Sequence, residues 1–168
     1  MADARARLFD RLAELGIAVT TVPYPAHRTV EEGIALRGAM AGQFTKNLLL
    51  RDKKRALFML VIAESRNVDL KALGRAIGAS GHLSFAAPDI MRAVLGVEPG
   101  AVTPLALINE RDSGLRVVLD ADILKADQIN FHPLVNTEST GIAPDGLLAF
   151  LRACGHEPVV VDFSALAG

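Results

Sequence analysis

The sequence predicts an α+β fold: a mixed, largely antiparallel sheet flanked by helices. Two observations carry this. Strand-like pairs and helix-like segments are interspersed along the 168 residues rather than strictly alternating, which disfavours a doubly wound parallel sheet. The helical patterns also stop at glycines, at Gly16, Gly78 and Gly96, so each is short and bounded.

The elements follow in order. Leu8, Phe9, Leu12 and Leu15 recur at helical spacing before Gly16. "IAVTTV" (Ile17–Val22) reads as a strand ending at "PYPAH". Thr29 and Glu32 form a T-x-x-E capping box, which predicts a short helix from about Val30 to Arg37. "FTKNLLL" and "ALFMLVIA" flank the charged "RDKKR", the pattern of a hairpin with a cationic tip. "NVDLKALGRAIG" is helical, and Pro88 opens a further helix in "PDIMRAVLG". "LALIN" and "LRVVLD" read as strands joined by a hairpin loop, "ERDSG". "QINFHP" and "VNTEST" read as short strands, "PDGLLAFLRACG" as the last helix and "EPVVVDFS" as the last strand.

No repeat, low-complexity tract or linker interrupts the chain, so residues 1–168 are expected to form one domain. Hydrophobic residues make up 51% of it, yet no apolar run reaches the ~20 residues of a membrane helix. Charges interrupt the apolar pattern of "MADARARLFDRL", unlike a signal peptide. Cys154, the only cysteine, rules out an intrachain disulfide and fits a reducing, cytoplasmic setting. The net charge of −1 disfavours bulk nucleic-acid binding and restricts any such contact to a local patch.

Three features stand out chemically. "GAVTP" (Gly100–Pro104) is fixed by glycine and proline at the mouth of an apolar run. It is either a plain tight turn or a loop held rigid so that its N–H groups grip a ligand. Lys46 lies in an otherwise mostly apolar strand, where it either faces outward or meets an anion at a pocket mouth. His132 precedes Pro133, as a structural histidine or a hydrogen-bonding group at a site. His27, His82, His132 and His156 lack metal-site spacing, and no metal is expected. Cys154 is expected to be a buried structural thiol, and no G-x-S-x-G or Walker loop occurs. "RDKKR" is either a solvated tip or a phosphate contact. Residue patterns alone assign no reaction.

Together, "TVEEG", "TKNLLLRDKK", "GVEPGAVTPLALIN" and "NFHPLVNTEST", in that order, resemble the YbaK-like superfamily of aminoacyl-tRNA deacylases. The superfamily includes the editing domain of bacterial prolyl-tRNA synthetase. With "GAVTP" as its loop, the chain looks most like the free-standing alanyl-tRNA(Pro) deacylases, the ProX or PrdX group. The resemblance implies a partly barrel-like editing domain that hydrolyses mischarged Ala-tRNA(Pro) in trans, excluding proline by pocket size. One methylene in a binding pocket discriminates by only ~1–3 kcal/mol, hence the second, hydrolytic sieve.

By the same resemblance, Gly100, Ala101, Val102, Thr103 and Pro104 approach the ester, with the N–H groups of Ala101–Thr103 on its carbonyl. Lys46 meets the phosphate of the terminal adenosine or orients the tRNA end. Asn47 places the ribose or amino acid, and His132 lines the pocket. Thr29 and Val30 form the wall that measures side-chain size. The water is assisted by the substrate's own ribose hydroxyl, and no cofactor is implied. Arg51, Lys53, Lys54 and Arg55 form a candidate tRNA contact. Expected partners are tRNA(Pro) and prolyl-tRNA synthetase or an elongation factor, with no DNA and no membrane. Competing readings are a deacylase for serine, cysteine or an analogue, a non-catalytic tRNA- or synthetase-binding module, and a small-molecule carrier.

Overall fold

The central hairpin organises the molecule. In the computed structural model, which describes residues 3–23, 31 and 40–166, β2 (Gln43–Arg51) and β3 (Leu57–Ala63) pair antiparallel around the 52–56 tip. The eight-stranded sheet runs β1 (Val19–Pro23), β7 (Glu138–Ile142), β6 (Ile129–Phe131), β2, β3, β5 (Arg116–Asp120), β8 (Val159–Val161). The short β4 (Ser84–Phe85) pairs with the far half of β2. Pairings β1–β7, β6–β7, β2–β3 and β2–β4 are antiparallel, while β2–β6, β3–β5 and β5–β8 are parallel. The sheet is therefore mixed and mostly antiparallel, as the sequence predicts.

Side-chain alternation splits the interior in two. Leu49, Met59, Val61, Val117 and Leu119 join one core with Leu8 and Leu12 of helix α1 (Ala4–Glu14). Leu50, Phe58, Leu60, Ile62 and Val118 join the other with Leu73 of helix α2 (Leu70–Ile77). β3 serves both, so its residues Leu57–Ile62 are all buried. Helix α3 (Pro88–Leu95) and the last helix, α4 (Pro144–Ala153), both open on proline at the first turn, where the missing N–H costs nothing. Gly78 and Gly96 end α2 and α3 in the left-handed conformation, the stops the sequence marks. Asp3 and Asp69 cap α1 and α2 by accepting N–H bonds.

Four expectations change. "LALIN" is not a strand: Pro104–Ile108 form a 3₁₀ helix. Thr103 Oγ1 accepts the Leu105 N–H at 3.2 Å, and Pro104 begins the turn, so capping chemistry overrides an apolar run with no clear period. "ERDSG" is consequently not a hairpin loop. β5 instead lies parallel to β3, and the Glu110 carboxylate closes the turn by accepting from Ser113 N and Oγ. The short strand begins at Glu138 rather than Val135. Cys154 follows the last helix as its C-cap instead of lying within it. The helix expected over Val30–Arg37, together with His27, falls outside the described residues apart from Glu31, which is helical.

Candidate functional site

The 96–104 loop is fastened at its base by one asparagine. Asn109, the C-cap of the 3₁₀ helix, donates from Nδ2 to the Leu95 carbonyl at 2.9 Å, and its Oδ1 accepts from Arg7 Nη2 at 2.8 Å. Gly96 sits beside that amide: a Cβ there would lie 3.0 Å from Asn109 Nδ2, at a φ of +67°. Within the loop, the Ala101 N–H donates to the Glu98 carbonyl at 3.0 Å. From the sheet side, Asn47 Nδ2 donates to the Val102 carbonyl at 3.0 Å. Thr45 Oγ1 donates to Asn47 Oδ1 at 3.1 Å and so orients the amide.

What remains after these bonds is informative. Val102 and Thr103 are 8% and 0% exposed, and their N–H groups meet no acceptor among the described residues. Buried backbone donors are almost always paired, so two successive unpaired ones are unusual. The Ala101 N–H, expected to share that role, is already committed to Glu98. Gly100 stands at a φ of +94° with open space around it, a conformation natural to glycine.

The other predicted residues divide around this loop. Thr45, Asn47 and Leu49 alternate onto the side of β2 that faces the loop; Lys46, Leu48 and Leu50 occupy the opposite side. Lys46 is half-buried and forms no ion pair among the described residues. His132 Nδ1 lies 3.0 Å from the Glu138 carbonyl, which only accepts, so Nδ1 donates in this contact and the ring orientation is set by it. Glu138 itself grips Arg5 of α1 with both oxygens, at 2.5 and 2.6 Å, and this hydrogen bonding raises the guanidinium pKa. Thr29 and Val30 lie outside the described residues.

The cationic tip is built around one acid. Asp52 accepts from Ser80 N, Ala56 N and Lys54 N at 2.9–3.0 Å, and these bonds, Ser80's foremost, hold its carboxyl below the usual range. Its oxygens are thereby occupied, while Lys53, Lys54 and Arg55 project into solvent without ion-pair partners among the described residues. Sequence patterns give no sign of Thr45, Glu98 or Asn109 as loop anchors. Each acts through a contact set by the fold, and Asn109 carries the only hint, a polar residue closing an apolar run.

Glu110, Arg111, Leu115, Cys154 and His156 line a separate cleft of about 400 Å³. Glu110 Oε1 lies 2.7 Å from His156 Nε2. Burial pushes the Glu110 carboxyl upward, but bonds from Ser113 and His156 outweigh it and keep it low. Burial pushes the Cys154 thiol up to about 11. At pH 8 only ~0.1% of such a thiol ionises, so alkylation of the native protein is expected to run about 100-fold slower than after unfolding. Equal rates before and after unfolding, followed by mass spectrometry, would contradict a shielded thiol.

Residues 24–150 match the aminoacyl-tRNA editing domain family. The prolyl-tRNA synthetase associated domain-containing protein 1 of Mus musculus is 35% identical over 165 residues, covering 96% of this chain and 97% of that protein. The prolyl-tRNA editing protein ProX of Acetoanaerobium sticklandii is 30% identical and covers 92% of this chain and 94% of its own. A solved structure provisionally described as a trans-editing enzyme for prolyl tRNA synthetase superposes with a TM-score of 0.72 at 25% identity, covering 96% of this chain and 97% of that one. The match spans β2, the 96–104 loop and His132, and the chain belongs to the aminoacyl-tRNA editing domain family.

Proposed function

We propose that this protein hydrolyses alanine mischarged onto tRNA(Pro), acting in trans. The observation that carries the reading is the pair of unpaired, buried N–H groups of Val102 and Thr103 on a loop held from both sides. Donors fixed in advance stabilise the negative charge that develops on an ester carbonyl oxygen without reorganising. In the reaction, water adds to the alanyl carbonyl carbon, the C–O bond to the ribose breaks, and the ribose oxygen leaves with a proton. The neighbouring ribose hydroxyl assists the water, and Val102 and Thr103 receive the oxyanion.

Asn47 acts in this scheme through the loop, because its amide already holds the Val102 carbonyl. His132 lines the pocket with its ring set by Glu138. Thr29 and Val30 measure the side chain, excluding proline. Lys46, on the other side of β2, meets a tRNA phosphate, and the tip cations Arg51, Lys53, Lys54 and Arg55 extend that contact. The relatives' names support tRNA(Pro) and prolyl-tRNA synthetase as partners.

The first experiment follows ester loss from alanyl-tRNA(Pro), prolyl-tRNA(Pro), cysteinyl-tRNA(Pro) and alanyl-tRNA(Ala). Selective loss of alanyl-tRNA(Pro) is expected. Loss of a different ester would move the substrate within the family, and binding without loss of any would favour a non-catalytic module. Lys46→Ala is expected to lower kcat/KM by roughly 10- to 100-fold, the worth of one charge-assisted contact, while stability changes by less than about 0.5 kcal/mol. Unchanged kcat/KM would remove Lys46 from the site.

A further inference from the structure

Phe85 is anomalous. Its neighbours Leu83 and Ala86 are buried, yet its own ring is 64% exposed. The backbone beneath it is fixed: Phe85 pairs with Leu50 across β4 and β2, and the Ala86 N–H donates to the Leu49 carbonyl at 2.8 Å. The ring is thus an apolar plate on a rigid mount at a sheet edge. Beyond Leu50 the strand leads into Lys53, Lys54 and Arg55 at the tip, while Arg51, paired with Ser84, takes the other side of the sheet. In the same row across the sheet, Leu50 pairs with Phe58 and Phe58 with exposed Arg116. Lys53, Lys54 and Arg55 have no ion-pair partner among the described residues; Arg116 lies over the Phe58 ring and helps hold the Asp52 carboxyl low, and Asp52, the acid of the tip, accepts from three backbone N–H groups.

An exposed aromatic face amid unpaired cations is complementary to a flexible polyanion carrying flat rings. We propose that Phe85 is a stacking platform for an unpaired base of a single-stranded RNA end, whose phosphates lie along Lys53, Lys54 and Arg55. Every base offers a π face, so the platform adds affinity without reading sequence. Phe85 shares its side of the sheet with Leu50 and therefore with Lys46, four residues up β2. That the base belongs to the acceptor end of a tRNA rests on the proposed hydrolase function; the platform itself does not.

The test uses the full chain and a labelled single-stranded RNA ending in CCA. Phe85→Ala is expected to weaken binding about 5- to 150-fold, with the slope of affinity against salt unchanged. Lys53→Ala combined with Lys54→Ala is expected to flatten that slope instead. Phe85→Trp is expected to restore affinity. Because the natural chain has no tryptophan, its fluorescence quenching on RNA addition reports stacking directly. Wild-type affinity in Phe85→Ala, full rescue by Phe85→Leu, or an unquenched Trp would each overturn the platform. Deacylation measured alongside separates the two ideas. Phe85-dependent RNA binding by a protein that cleaves no ester would retain the platform and refute the hydrolase. Ester cleavage with RNA binding indifferent to Phe85 would do the reverse.

Discussion

Gly100→Val is expected to reduce deacylation of alanyl-tRNA(Pro) by on the order of 10²- to 10³-fold while the protein stays folded. The reason is torsional. Gly100 has a φ of +94°, and a Cβ there would meet no heavy atom within 4 Å, so valine fits the space but not the backbone. Holding a β-branched residue in such a region costs about 1–3 kcal/mol, which the exposed peptide relieves by rotating. Rotation at Gly100 displaces the Val102 and Thr103 N–H groups, and losing one oxyanion donor is worth about 10²–10³ in rate. Rates from single-turnover assays, with urea unfolding as the control, decide the matter. A valine variant with undiminished turnover would show that these donors do not face the reacting carbonyl.

The largest loss of stability is expected away from the loop, at Asp120. This residue ends β5 with 0% exposure, and its carboxylate is an acceptor for three elements. Oδ2 takes the Ala63 N–H at the end of β3, at 3.1 Å, and Arg66 Nε at 2.8 Å; Oδ1 takes the Asp122 N–H at 2.9 Å and so caps the 3₁₀ helix Ala121–Lys125. Asp120→Ala leaves the part-buried Ala63 N–H unpaired, uncaps the helix and removes one of the two carboxylates that hold Arg66. Arg66 is part-exposed and keeps Asp122, so the loss comes mainly from the unpaired N–H and the missing cap, about 3 kcal/mol in sum. At ~2–4 °C per kcal/mol for a chain of this size, Tm is expected to fall by at least about 6 °C. Asp120→Asn, which keeps the shape but loses the charge, is expected to fall between the two. A loss below about 1 kcal/mol for alanine, measured by urea unfolding, would mean that the neighbours re-pair without this carboxylate.

Local chemistry was the part of the fold legible in the sequence. Glycine stops after α2 and α3, prolines opening the last two helices, and the charged tip between two apolar strands each depend on nearby residues, and each appears where its pattern places it. "LALIN" misled because five residues with one polar group at the end have no distinguishable period, so Thr103 and Pro104 decided the outcome. The parallel β3–β5 pairing was hidden for a different reason: register between strands more than fifty residues apart leaves no local trace. The 100–104 loop drew notice as a motif. Its fastening by Asn47, Glu98 and Asn109 was not visible, since those bonds exist only once the elements meet.

That fastening has a thermodynamic consequence. A loop knotted at its base to a single asparagine and pinned midway to the sheet is a small closed ring. Its freedom is surrendered when the chain folds, at ~1–2 kcal/mol per residue, and is absorbed into the stability of the whole domain. A substrate arriving later finds the receptor already ordered. Its binding energy is therefore left for orienting the ester rather than for arranging the protein.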